Sequence, residues 1–239
     1  MNAREIVLPV IAGRKYAHAE FPCQMAGAGV FGTAFLHPDG WFVTAAHVVH
    51  AAAAFETFGL GFLPYPGYAG SWHFAPVTEF KLYPEIDLAI LRADASGVLS
   101  LQWHTEDLGI FAAVDSLGYP YAYNPQEQLI RPRGFRGSVV SDSTLDEFPA
   151  RPSGYEVSFA APRGLSGAPL LHRHDGDVLV AGVIVGNRST QMLVFRDSER
   201  LVENGSETIV EHYESLQLGI AVRVSELQRR IYDNRDSRE

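Results

Sequence analysis

The chain has a single cysteine, Cys23, among 239 residues. No intrachain disulfide can form, so the fold must rest on its own core, and a reducing compartment is the expected setting. Long apolar runs are missing too: no stretch approaches the roughly 20 apolar residues that a membrane helix needs. The N-terminal segment MNAREIVLPVIAGRKY holds only the short run Ile6 to Ala12, interrupted by Pro9 and without the basic start and small-residue cleavage site of an export signal. Positive charge is scarce, with 19 Lys and Arg against 28 Asp and Glu and a formal net charge of -9. That balance excludes a general phosphate-binding surface. The expectation is a cytoplasmic protein with neither nucleic acid nor membrane among its partners. No repeat of solenoid or propeller length is present.

What the chain does have is 46% hydrophobic residues, enough for one sizeable domain or for two small barrels sharing a cleft. Its 22 glycines and 14 prolines punctuate short apolar runs, which favours a β-rich architecture. VFGTAFLHPDGWFVTAAHVV, Val30 to Val49, reads as a hairpin turning at His37-Pro38-Asp39-Gly40. The alanine run after His47 continues into a short helical turn before a surface excursion that ends near Pro76. Ser100 to Gly109 reads as a polar linker. Arg131, Arg133 and Arg136 read as one solvated basic face, and the acidic stretch Asp197 to Glu214 as an exposed loop that includes an Asn204-Gly205-Ser206 turn. Near the end, Ser225-Glu226-Leu227-Gln228 matches a capping box with Ser225 as the cap, and Val224, Leu227 and Ile231 recur at helical spacing.

Three short motifs carry chemistry: TAAH at Thr44 to His47, DLAIL at Asp87 to Leu91, and GLSGAP at Gly164 to Pro169. A serine hydroxyl is a poor nucleophile near neutral pH. It needs an imidazole to take its proton and a carboxylate to fix that imidazole's tautomer. Singly, His47 could be a core histidine, Asp87 a turn carboxylate and Ser166 part of a tight loop. Together they stand in the order His, Asp, Ser, which differs from subtilisins and from α/β-hydrolases; the latter also require glycine where this chain has Ala168.

On these motifs the sequence resembles the chymotrypsin-like (trypsin-like) serine peptidases, in their bacterial, disulfide-free branch, from about Ala28 to about Ile231. IDLAIL at Ile86 to Leu91, VDSLGYP at Val114 to Pro120 and GVIVGN at Gly182 to Asn187 continue the likeness. The resemblance implies an all-β fold of two six-stranded antiparallel Greek-key barrels with the active site between them and a C-terminal α-helix. An N-terminal barrel over 1–104 would carry His47 and Asp87. A C-terminal barrel over 105–239 would carry Ser166, with the terminal helix at about 224–235. It implies a catalytic triad of His47, Asp87 and Ser166, an oxyanion hole from the amides of Gly164 and Ser166, and neither metal nor organic cofactor. The substrate would be a protein or peptide, with a regulatory protein as a further partner.

Three positions depart from the family pattern. Leu165 stands where zymogen-activated relatives have an aspartate, which disfavours activation by N-terminal cleavage. Ala168 replaces a glycine, acceptable where the backbone avoids positive φ, and Val185 replaces a serine that supports the catalytic aspartate. By the family's register Ala160 lies at the base of the specificity pocket, with Arg163, Val185, Gly186, Asn187, Gly219 and Ala221 around the substrate. Ala160, Gly219 and Ala221 carry no charge, so an uncharged residue is expected at the scissile bond. The competing class is a catalytically silent binding module of the same shape; incidental esterase activity is a third reading.

Overall fold

The computed structural model describes residues 3–14, 26–62, 72–121, 123–124, 129–200 and 207–236. Cys23 and the Asn204–Ser206 turn lie outside them. The body is two closed six-stranded barrels. The first is built from β1 (Val7–Arg14), β2 (Ala26–Leu36), β3 (Phe42–Ala45), β4 (Thr57–Phe62), β5 (His73–Tyr83) and β6 (Leu88–Ala93). Around it the strands run β1-β2-β3-β6-β5-β4, all pairs antiparallel. The connection from β2 to β3 is the expected turn: His37 N donates to Trp41 O, Gly40 N donates to His37 O, each at 2.9 Å, and Gly40 adopts φ 82°. A short helix α1 (Ala3–Ile6) precedes β1, and helix α2 (Ala46–Ala52) follows β3 directly and ends within the alanine run.

The second barrel contains β7 (Ala113–Gly118), β10 (Arg133–Thr144), β11 (Ser153–Val157), β12 (Pro169–His174), β13 (Asp177–Arg200) and β14 (Glu207–Arg223), closed in the order β10-β11-β14-β13-β12-β7. Two short strands, β8 (Tyr123–Asn124) and β9 (Leu129–Ile130), pair with each other beside it. Within the acidic stretch expected as a loop, the described residues 197–200 and 207–214 are instead strand. β13 and β14 pair continuously out to Arg200 opposite Glu207, with Arg196 opposite Glu211. Apolar and β-branched residues at Met192 to Phe195 and Thr208 to Val210 interleave with the charges, and mutual pairing satisfies the backbone of both segments.

One apolar cluster joins the barrels, including Val7, Phe35, Leu88, Val183, Val222 and Leu227, and a second fills the interior of the C-terminal barrel around Val139, Tyr155, Leu165 and Ile184. Fully burying each such large side chain contributes about 1.5–3 kcal/mol. The stretch from Ser100 to Gly109 crosses between the barrels: Leu101 N donates to Leu36 O at 2.9 Å and His104 N to Val180 O at 2.8 Å. Tyr119, fully buried, donates its hydroxyl to Val7 O at 3.0 Å.

Helix α3 (Val224–Asp236) continues from β14 without a break, so Ser225 lies inside its first turn and is not the cap. The buried Glu226 organises this end. Its Oε1 accepts from Ser153 N at 3.0 Å, while Arg230 donates to its carbonyl and to its Oε2, both at 2.9 Å. Arg230 also donates to Glu85 Oε1 at 3.0 Å, fastening the helix to the first barrel. Two of the three clustered arginines have separate tasks. Arg133 donates to the carbonyls of Pro120 and Tyr121, and Arg136 pairs with Asp115 at 2.7 Å. Among the described residues no helix is long and apolar enough to cross a membrane.

Candidate active site

Asp87 is presented by local strain. It follows a 3-10 turn at Pro84–Ile86 and takes φ 54°, the left-handed region that aspartate tolerates better than most residues, before β6 begins. Its main-chain carbonyl accepts from Ala46 N at 2.9 Å, its Oδ1 from His47 N at 2.9 Å, and its Oδ2 lies 2.6 Å from His47 Nδ1. The carboxylate therefore grips both the imidazole and the start of the helix that carries it. An ionised carboxylate only accepts, so the Nδ1 proton is held by Asp87 and Nε2 is left as the basic nitrogen. The Asp87 side chain is 15% exposed and that of His47 49%.

Ser166 sits in the turn between β11 and β12. Leu165 N donates to Pro162 O and Ala168 N to Leu165 O, each at 2.9 Å, so one tight turn precedes the serine and a second contains it. The glycines at φ 98° (Gly164) and φ 84° (Gly167) make this possible. A Cβ on Gly164 would lie 2.6 Å from Tyr119 O, and one on Gly167 would lie 2.1 Å from Thr33 O and 2.2 Å from Thr44 Oγ1. The second contact sets the Ser166 loop directly against the residues that lead into His47. Among the described residues, no hydrogen bond joins Ser166 Oγ to His47, and the amides of Gly164 and Ser166 donate to no backbone carbonyl.

One residue that the sequence reading passed over holds this loop. Thr33, fully buried in β2, donates its amide to Ser166 O at 2.9 Å and its hydroxyl to Gly164 O at 2.9 Å. The same hydroxyl accepts from Tyr119 N at 3.0 Å, and Thr33 O accepts from Thr44 Oγ1 at 2.7 Å. The available signal was a lone hydroxyl inside an apolar strand.

Of the expected substrate-contacting residues, Arg163 is exposed, Ala160 and Gly186 are half-buried, and Val185, Gly219 and Ala221 are buried. Asn187 stands opposite Gly219 in the ladder, and its side-chain amide is committed to Ala161: Oδ1 accepts from Ala161 N at 2.5 Å and Nδ2 donates to Ala161 O at 2.7 Å.

Residues 27–181 match the family model of the trypsin-like peptidase domain. The chain belongs to that family. Among solved structures it is similar to the active form of the Rv3671c protease from M. tuberculosis, at 19% identity and TM-score 0.59, covering 95% of this chain and 79% of that one. It is likewise similar to the apo MamO protease domain from Magnetospirillum magneticum, at 16% identity and TM-score 0.58 over 94% and 95% of the two chains. The HtrA-type protease AlgW with a decapeptide is 15% identical at TM-score 0.60, over 93% of this chain and 62% of that one. Against AlgW with a tripeptide, this chain spans 58% of the length. These identities show a shared fold. No curated protein sequence matches the chain.

Within this trypsin-like peptidase domain the three departures have physical accounts. Leu165 is fully buried in the interior of the second barrel with Ala161, Ala168 and Ile184, an apolar anchor for the Ser166 loop. Ala168 takes no positive φ, so its Cβ is accommodated. Val185 is buried in the core, and Asp87 draws its hydrogen bonds from the amides and ring that it orients.

Proposed function

We propose that the chain is a serine endopeptidase that cleaves peptide bonds through His47, Asp87 and Ser166. The observation that carries this reading is the double contact of Asp87 with His47, at 2.6 Å to Nδ1 and 2.9 Å from the amide. It supports an imidazole held in the tautomer a general base needs. In the reaction Ser166 Oγ attacks the carbonyl carbon while its proton passes to His47 Nε2. The C–N bond then breaks and the departing amine takes that proton, leaving an acyl-serine. Water attacks the acyl-serine by the same route. The undonated amides of Gly164 and Ser166 support an oxyanion site, in which a single donor is typically worth about 10²- to 10³-fold in turnover.

The apolar seat of Leu165 supports a loop that needs no ion-pair switch, which leaves control to conformation or to a protein partner. The single cysteine supports a cytoplasmic setting. Peptides bound to the HtrA-type structures support a peptide substrate.

Labelling with a fluorophosphonate probe, located by peptide mass spectrometry, tests the reading. Modification at Ser166 that disappears in His47→Ala is the expected result. Folded protein that stays unlabelled overturns it in favour of a silent binding module.

A further inference from the structure

The site has two flanks. Gly167 N donates to Ile184 O at 2.7 Å and Ile184 N to Ala168 O at 2.9 Å, so β13 is bonded to the nucleophile loop at Ile184 and runs on through Val185, Gly186 and Asn187. On the other flank, Phe159 to Arg163 lead into the same loop. By the register of the trypsin-like peptidases, a substrate whose carbonyl rests on the amides of Gly164 and Ser166 sends the side chain of its acyl residue, the one on the carbonyl side of the scissile bond, between these two segments.

In this chain they are tied together. The side-chain amide of Asn187 spans from β13 to Ala161 and uses its donor and its acceptor on that residue's main chain, at 2.7 and 2.5 Å. Gly219, directly opposite Asn187, offers no space beneath this bridge: an added Cβ would lie 2.7 Å from Phe159 O and 2.9 Å from Val157 Cγ2, with Ala161 Cβ at 3.7 Å. Gly219 N also donates to Phe159 O at 2.8 Å, drawing the walls together. Over Gly186 the surface is open, and a Cβ there would meet nothing within 4 Å. The entrance is therefore free for an extended peptide backbone, while the recess beside it is filled.

We infer that Asn187 is a specificity-determining residue that closes this recess and restricts the acyl residue to glycine, alanine or serine. The inference rests on the peptidase reading above for its orientation of the substrate. A bulky side chain must break the two hydrogen bonds of the exposed Asn187 to enter and leaves the main chain of the buried Ala161 without them, a cost larger than the bonds themselves contribute. This is narrower than the uncharged preference drawn from the sequence, which took Asn187 as a lining residue and could not place its amide.

Two measurements test this. The first is equilibrium binding of fluorescent tetrapeptide acids, ending in alanine or phenylalanine, to the Ser166→Ala protein. The second is the rate at which peptide phosphonates with alanine or phenylalanine at the acyl position label Ser166. We expect the alanine compounds to be favoured at least about 30-fold, within the range in which a filled pocket discriminates by size. Asn187→Gly should abolish the preference, whereas Asn187→Val, which keeps the bulk on a strand, should retain it; Asn187→Ala replaces the glycine variant if thermal melts show that it is unfolded. Phenylalanine compounds accepted as well as alanine by the unaltered protein, or a preference unchanged in the folded glycine or alanine variant, overturns the inference. Absence of labelling with the binding preference intact overturns the peptidase reading alone. Labelling without preference overturns the inference alone.

Discussion

Thr33 Oγ1 donates to the carbonyl of Gly164 at 2.9 Å, joining residues 131 positions apart across the two barrels. Because Thr33 N also holds the carbonyl of Ser166, one residue of the first barrel fixes the Gly164–Leu165 and Ser166–Gly167 peptide planes. Between them lies the Leu165–Ser166 plane, whose amide is proposed for the oxyanion. Thr33→Val keeps the shape and removes the hydroxyl, leaving Gly164 O and the buried Tyr119 N without it. A small displacement of catalytic donors can cost about 10²-fold, so kcat should fall about that much with KM little changed. Thr33→Ser should restore it. Steady-state kinetics on a peptide ester reads both; a change in KM alone would remove Thr33 from loop positioning.

Asp87→Asn preserves the acceptor facing His47 N but places an amide donor against Nδ1. The imidazole must then carry its proton on Nε2 and lose its basic nitrogen, and kcat should fall about 10⁴-fold. Thermal stability should change little, since the backbone carbonyl of Asp87 still accepts from Ala46 N. Retained turnover in this variant would show that His47 is not the base.

Leu165→Ala removes a fully buried side chain from the interior of the second barrel. The cavity left behind should cost about 2–5 kcal/mol in chemical denaturation. Labelling at Ser166 should slow as well, because the anchor lies next to the nucleophile. An unchanged denaturation midpoint would show that Leu165 does not anchor the loop.

The parts of the site that were legible in sequence are those encoded by adjacent residues. TAAH fixes a histidine just after a buried strand, DLAIL puts a carboxylate at the start of another, and GLSGAP surrounds a serine with residues suited to tight turns. Thr33 and Asn187 were opaque for the opposite reason: their roles depend on which distant carbonyl or amide the fold brings within reach. The acidic stretch misled because its charge masks the β-branched run Thr208 to Val210, which pairs as strand. Ser225 misled because a capping residue must stand just outside the helix, and β14 runs straight into α3 with Val224 already helical.

His104 crosses between the barrels at 8% exposure, with His172 and His174 at ring-centroid distances of 5.3 and 5.5 Å. Burial, then the positive charge that His172 and His174 can carry, lower its pKa below 6.5, against the pull of Glu106. Between those two values the unfolded chain binds a proton that the folded one refuses. The stability contributed is complete above pH 6.5 and is lost as pH falls below it. His104→Phe should therefore flatten the decline of Tm on mild acidification; an unchanged slope would assign the acid sensitivity elsewhere.

Arg230 links the C-terminal helix to Asp87, since its partner Glu85 lies in the turn that ends there. Glu226 holds Arg230 in place. Burial pushes the Glu226 carboxyl up, but the Ser153 amide together with Arg230 and Arg229 outweighs it, leaving the pKa below its ordinary 4.5. A depressed carboxylate stabilises the fold above that ordinary value, and the contribution is lost as pH falls through the lowered one. Glu226→Gln should thus cost about 1.5–3 kcal/mol near neutrality, as expected for hydrogen bonds to a charged group. The gap to the unaltered protein should close below pH 4.5. Because the turn before Asp87 loses its brace, labelling of Ser166 should slow under conditions where the variant remains folded. Denaturation across pH measures the first effect and probe kinetics the second. A gap that persists in acid would show that Glu226 acts through packing and not through its charge.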